Sequence, residues 1–104
     1  MSYISAPGMK GVVKEKIVEV VCKEYGLTKE ELQRKGRAFN LVEARQITTY
    51  LLRVYTKSTW SEIGKCFNQD HTTALHSYTA VRDHMDTEDD YKNHVMKLVQ
   101  IIFR

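Results

Sequence analysis

Two helix starts, eleven residues apart, constrain the fold of this sequence more than any other feature. Thr59 and Glu62 form a capping box, an N-cap hydroxyl followed three residues later by a glutamate, which predicts a short helix. Asn68 and Gln69 then supply a tight turn, and Asp70 is a second N-cap residue. Apolar residues recur after it at helical spacing: Ala74, Leu75, Tyr78, Val81 and Met85. The stretch therefore predicts a helix-turn-helix.

The first turn of the second predicted helix carries short hydrogen-bonding side chains, at Asp70, His71, Thr72 and Thr73. In a helix-turn-helix the second helix enters the major groove of DNA by its N-terminal end. A carboxylate can accept from a cytosine amino group, and a threonine methyl can contact the methyl group of thymine. These residue types at this position indicate recognition of bases in double-stranded DNA.

The rest of the chain has helical periodicity, and no stretch has a convincing strand pattern. The 104 residues, 42% of them hydrophobic, suit a single core. We therefore predict an all-α fold, with one compact helical domain over 11–104 after a flexible leader at 1–10. Six helices are expected, at about 13–25, 29–32, 42–55, 60–67 and 71–85, with a last one from about 87.

Charge is unevenly distributed along the sequence. Between residues 34 and 65 there are seven basic and two acidic residues, whereas 83–90 contains five acidic residues and no lysine or arginine. One face of the domain should therefore attract phosphate. The basic, glycine-containing segment 33–40 is expected to be a loop, either an arm that enters the minor groove of DNA or a solvated connector.

The helix expected at 42–55 has a buried stripe and a second face on which Arg45, Thr49 and Arg53 recur every four residues. The two arginines could grip DNA phosphates, or the face could simply be solvated.

Several classes of protein are disfavoured. The uncharged stretches are too short to span a membrane and the N-terminus lacks the features of a signal peptide, so we expect a cytoplasmic, nucleoid-associated protein. Cys22 and Cys66 are expected to be reduced. His71 and His76 are five residues apart, about 140° around a helix, which does not suit a metal pair. We expect no metal, no cofactor and no enzymatic activity.

The sequence contains three motifs at set distances from one another: Ala44-Arg45-Gln46-Ile47, Glu62-Ile63-Gly64 and Asp70-His71-Thr72-Thr73-Ala74-Leu75-His76. This combination resembles the C-terminal DNA-binding domain of the bacterial replication initiator DnaA. The likeness covers about 13–83. It implies a TrpR-like helix-turn-helix domain that recognises a DnaA box in double-stranded DNA, with a role in replication initiation or its regulation.

The resemblance also implies roles for individual residues. Asp70, His71 and Thr72 would face bases in the major groove, with Thr73 supporting them at the groove edge or on a phosphate. Arg37, nine residues before Gln46, would read the minor groove. Phosphate contacts would come from Arg45, Gln46, Arg53, Thr56 and His76.

The sequence departs from this family in three places. The turn at Asn68-Gln69 is one residue shorter than usual and lacks an arginine, and Phe39 and Asn40 stand where further positive charge is common. A phosphate-binding Gly-x-x-x-x-Gly-Lys-Ser/Thr motif is absent, so we expect no nucleotide binding and no ATPase activity. A replication initiator or a helicase-loading protein is then a candidate protein partner.

The alternative function is a protein-interaction module of the same fold that no longer binds DNA. Its docking surface would be the acidic segment 83–90, with Trp60 as an anchor if that side chain is exposed.

Overall fold

The computed structural model describes residues 9–34, 36 and 38–104, with the backbone alone for 9–12. Every regular element in these residues is an α-helix. The six helices are α1 (Met9–Tyr25), α2 (Lys29–Gln33), α3 (Phe39–Thr56), α4 (Trp60–Cys66), α5 (His71–Thr87) and α6 (Asp89–Ile102). In this part of the chain, no helix is both long and apolar enough to cross a membrane.

Helix α3 lies at the centre of the domain, packed against α1 on one side and α5 on the other. Helix α4 packs against α5, and α6 closes the core against α1 and α5. The most deeply buried side chains come from every helix, and include Ile17, Leu32, Ile47, Leu51, Leu52, Ile63, Ala74, Val81, Val95 and Leu98. Helix α5 therefore packs against both α3 and α4.

The helix boundaries follow the capping residues where the sequence provides them. Both predicted capping boxes form: the Thr28 hydroxyl accepts from the N–H of Glu31 at 3.0 Å, and the Thr59 hydroxyl accepts from the N–H of Glu62 at 3.1 Å. Gly26 ends α1 with a φ of 65°, a conformation that costs glycine little. The predicted starts of α2, α4 and α5 are confirmed.

Two boundaries differ from the prediction by more than two residues. Helix α1 begins at Met9, so it includes two residues assigned to the leader, and α3 begins at Phe39, inside the predicted loop. The N-cap of α3 is Ala38, which makes no side-chain capping bond, so no sequence signal marked that start. The remaining leader residues, 1–8, lie outside the described part of the chain.

The expected faces of two helices also need correction. Leu75, assigned to the buried face of α5, is 41% exposed. Arg45 and Thr49, assigned to an outer face of α3, are 8% and 1% exposed. Because α3 is central, it is covered on more than one side, and the side chains of a second face lie within the protein.

Candidate nucleic-acid interface

The turn between α4 and α5 is a Schellman motif, the hydrogen-bonded helix ending in which one residue adopts the left-handed conformation. Asn68 is that residue, with a φ of 55°. The N–H of Gln69 donates to the carbonyl of Gly64 at 2.8 Å, and the N–H of Asn68 donates to that of Lys65 at 3.4 Å. Asparagine tolerates the left-handed conformation better than most residues. Asn68 therefore allows a turn of only two residues to join α4 and α5.

Gly64 of α4 lies against the backbone that leads into α5. A Cβ atom at that position would lie 2.4 Å from the carbonyl oxygen of Gln69 and 3.0 Å from that of Asp70. Only glycine fits there without a shift of the backbone. Gly64 therefore fixes how closely the start of α5 crosses α4.

Asp70 caps the N-terminus of α5. Its carboxylate oxygen Oδ1 accepts from the N–H of Thr73 at 2.8 Å. The backbone and side-chain interactions with Thr73 lower the pKa of Asp70 below its ordinary value, so the carboxylate is charged at neutral pH. The cap makes the orientation of this carboxylate at the helix start well defined.

The side chains of His71, Thr72, Thr73 and His76 are all exposed at the beginning of α5. Together with Asp70 they bring five predicted contact residues onto one end of one helix. Among the residues described, no group of three or more histidine, cysteine, aspartate or glutamate side chains is arranged to hold a metal ion.

The same end of α5 lines a groove of about 450 Å³ shared with α3 and the loop that precedes it. Its lining residues are Gly36, Val42, Arg45, Gln46, Gln69, Thr73 and Ser77. The loop carrying the predicted minor-groove arginine thus lies beside the first turn of α5. Arg37 itself lies outside the described residues.

Gln69 was predicted only as a turn residue and Ser77 was not singled out from the sequence, although both line this groove. Their positions in the sequence could have identified both as groove residues. Gln69 directly precedes the N-cap Asp70, and Ser77 follows Thr73 by one helical turn.

Arg45 lies inside the protein. Its Nε donates to the carbonyl of Leu32 at 2.9 Å, and its Nη1 donates to the carbonyl of Gly36 at 3.0 Å. Burial lowers the pKa of the guanidinium. The remaining nitrogen, Nη2, is buried without a hydrogen-bond partner among the described residues. The position differs from that of a solvated helix face, and the phosphate contact predicted for Arg45 remains a prediction.

Two further phosphate-contact candidates lie near the C-terminus of α3. Arg53 is half-buried, its Nη1 donates to the carbonyl of Ser58 at 2.9 Å, and its guanidinium lies 4.2 Å from the ring centre of Trp60. The Thr56 hydroxyl is buried, where it donates to the carbonyl of Leu52 and bonds the Ser58 hydroxyl at 2.6 Å. Arg53 is the more accessible of the two.

Tyr78 joins α5 to both helices beside it. Its ring stacks on Tyr50 of α3 at a centroid distance of 5.5 Å and meets Trp60 of α4 edge-on at 5.3 Å. Trp60 is therefore a partly buried packing residue rather than an exposed anchor for a partner.

The acidic segment 83–90 covers the end of α5 and the start of α6. Asp89 and Asp90 occupy the first turn of α6, where negative charge is favourable next to the positive end of the helix dipole. Glu88 lies 2.6 Å from the ring nitrogen Nε2 of His84. Stabilisation of a helix start thus accounts for part of this charge cluster.

Comparison with known proteins identifies relatives over most of the chain. The family model for the bacterial DnaA protein helix-turn-helix matches residues 14–81. Relatives that carry the name chromosomal replication initiator protein DnaA include those of Bacteroides thetaiotaomicron, 33% identical over 89% of this chain, and Streptococcus mutans, 37% identical over 85%. A third, from Desulfatibacillum aliphaticivorans, is 37% identical over 79% of this chain. The chain spans about a fifth of the length of these relatives.

Proposed function

Because this chain belongs to the bacterial DnaA helix-turn-helix family, we propose that it binds double-stranded DNA in a sequence-specific manner, at a site like a DnaA box. Its role would be in replication initiation or the regulation of that process. Helix α5 is proposed to be the recognition helix, entering the major groove by its N-terminal end.

The observation that carries this proposal is the exposed polar first turn of α5 on a closely packed helix-turn-helix. His71, Thr72 and Thr73 are exposed, while Ala74 directly after them has no exposed surface. The polar turn therefore projects from a helix that is anchored in the core. Side chains in this position can reach base edges while the helix axis stays fixed.

The loop before α3 is proposed to contact the adjacent minor groove through Arg37. Its described residue Gly36 lines the same groove as Gln69 and Thr73, which brings the loop beside the recognition helix. Gln46, which is half-buried, and His76, which is exposed, would bind phosphates of the DNA backbone.

A direct binding measurement tests the proposal. The purified protein would be titrated against a labelled duplex carrying a DnaA box and against a scrambled duplex of the same composition, at two salt concentrations. We expect at least about a tenfold preference for the box, with affinity falling as salt rises. Equal binding to the two duplexes would refute specificity for the box. Absence of binding at both salt concentrations would favour the protein-interaction module.

A further inference from the structure

Arg45 connects the proposed minor-groove arm to the proposed recognition helix. Through two nitrogens it holds the backbone carbonyls of Leu32 and Gly36, which are the end of α2 and the middle of the following loop. It also lines the groove that contains Gln69 and Thr73. The Arg45 side chain thus binds two points of the segment 32–36 and also lines the groove beside α5.

The guanidinium is suited to this connection. It is planar and always charged, with several N–H donors in a fixed fork, so it can hold two carbonyls at a set separation. The residue is 8% exposed, and Nη2 has almost no accessible surface. A nitrogen in this position cannot reach a DNA phosphate unless its surroundings move.

We propose that Arg45 is a positioning residue, which holds Gly36 of the loop at a fixed distance from the start of α5. The inference rests on the proposed function and deepens it. The spacing between arm and recognition helix sets the register in which the minor and major grooves are read together. Arg45 would then determine sequence discrimination without touching DNA itself.

The first test needs no DNA. Trypsin cleaves after Arg34, Lys35 and Arg37, so the loop provides its own reporter of local opening. Losing two hydrogen bonds from a charged donor should raise the rate of loop cleavage about tenfold in Arg45→Lys, because lysine cannot span both carbonyls. Cleavage at Lys92 and Lys97 in α6 reports global unfolding and should change less than cleavage in the loop.

Arg82→Lys is the matched control, since it makes the same substitution at an exposed position of α5. The Arg82 guanidinium lies 5.8 Å from the ring centre of Tyr78 and does not contact the loop carbonyls that Arg45 holds. Its loop cleavage should match that of the unmodified protein. Equal loop cleavage in Arg45→Lys and Arg82→Lys would overturn the anchoring role.

The second test measures binding to the box and scrambled duplexes for Arg45→Lys, Arg37→Ala and the double variant. If Arg45 acts through the arm, Arg45→Lys and Arg37→Ala lose similar affinity for the box, and the double variant loses little more. A direct phosphate contact predicts the opposite result, because lysine still binds phosphate and the two losses add. Additive losses, or near-normal box binding by Arg45→Lys, would overturn the inference.

The two tests separate failure of this inference from failure of the proposed function. If the unmodified protein binds both duplexes alike, the proposed function fails and the role in groove register falls with it. The trypsin result then still decides whether Arg45 anchors the loop. If loop cleavage rises but DNA discrimination is unchanged, the anchor exists and the proposed effect on recognition is refuted.

Discussion

The carbonyl oxygen of Gln69 lies so close to Gly64 that a Cβ atom there would be 2.4 Å away. Gly64→Ala must therefore push the start of α5 away from α4. We expect a loss of about 1–3 kcal/mol in the free energy of unfolding, as for other overpacked sites. DNA binding should fall further than stability alone explains, because the displaced residues are the proposed base contacts. Denaturant unfolding and DNA titration of the same preparation measure both effects.

Gly26→Ala provides the matched control for that variant. Gly26 has a φ of 65°, so alanine is strained there, but an added Cβ would meet no atom within 4 Å. We expect a stability loss of about 1 kcal/mol and normal DNA affinity at temperatures where the protein is folded. If both glycine variants weakened DNA binding equally, the contact at Gly64 would not be what places α5.

Tyr78 should contribute to stability through two aromatic contacts, with Tyr50 and with Trp60. Each such pair is worth about 0.5–1.5 kcal/mol beyond its buried area. Tyr78→Leu is therefore expected to lose about 1–3 kcal/mol, whereas Tyr78→Phe keeps both ring contacts and should be close to normal. Trp60 is the only tryptophan, so its fluorescence follows unfolding in both variants. Equal losses in the two variants would assign the effect to the hydroxyl instead.

The sequence predicted the starts of those helices that begin with a capping side chain. Thr28, Thr59 and Asp70 each cap a helix, and all three predicted starts are confirmed because a side-chain cap acts locally. The start of α3 was missed because Ala38 carries no such signal, and that helix is stabilised by packing against α1 and α5.

The candidate site was only partly predictable for a related reason. The exposed polar turn at His71 and Thr72 follows from local sequence. The position of Arg45 depends on α2 and the next loop folding over α3, and helical periodicity contains no information on that contact. The same limit applies to Leu75, whose place in an apolar pattern predicted burial that the structure does not show.

The stabilisation that the Asp70 cap gives to the folded protein should depend on pH. The pKa of Asp70 is lowered in the folded protein from an ordinary value of 3.8, mainly by the N–H of Thr73. Its contribution is therefore complete above about pH 4 and is lost as the pH falls through the lower folded-state pKa. Asp70→Asn keeps an N-cap side chain without the titration. We expect its unfolding free energy to fall less between pH 5 and pH 2 than that of the unmodified protein.

The pKa of Glu31 is also lowered in the folded protein from an ordinary value of 4.5, mainly by the N–H of Thr28. Glu31 is present in both proteins, so the difference between their pH profiles isolates Asp70. Circular dichroism during urea unfolding at each pH gives the two profiles. Parallel profiles would show that the carboxylate charge of Asp70 does not stabilise the helix start.

Thr72 and Arg53 should differ in the kind of DNA affinity that they supply. Thr72 is exposed on the first turn of α5, so Thr72→Ala should leave stability nearly unchanged. Because Thr72 is a proposed base contact, Thr72→Ala should reduce the free energy of binding to the box by about 1–3 kcal/mol and relax discrimination at one base pair. The salt dependence of binding should stay unchanged. Arg53→Ala, by contrast, should weaken box and scrambled duplexes alike and reduce the salt slope by about one.

Arg53→Lys separates charge from packing in that comparison. The guanidinium of Arg53 also holds the carbonyl of Ser58 and lies over Trp60, so Arg53→Ala disturbs structure as well as charge. Lysine keeps the charge and loses the fork, so a phosphate contact predicts a normal salt slope for Arg53→Lys. Affinities measured at four or more salt concentrations give the slopes. If Thr72→Ala and Arg53→Ala each lost affinity equally for box and scrambled DNA, the division between base and phosphate contacts on this surface would be wrong.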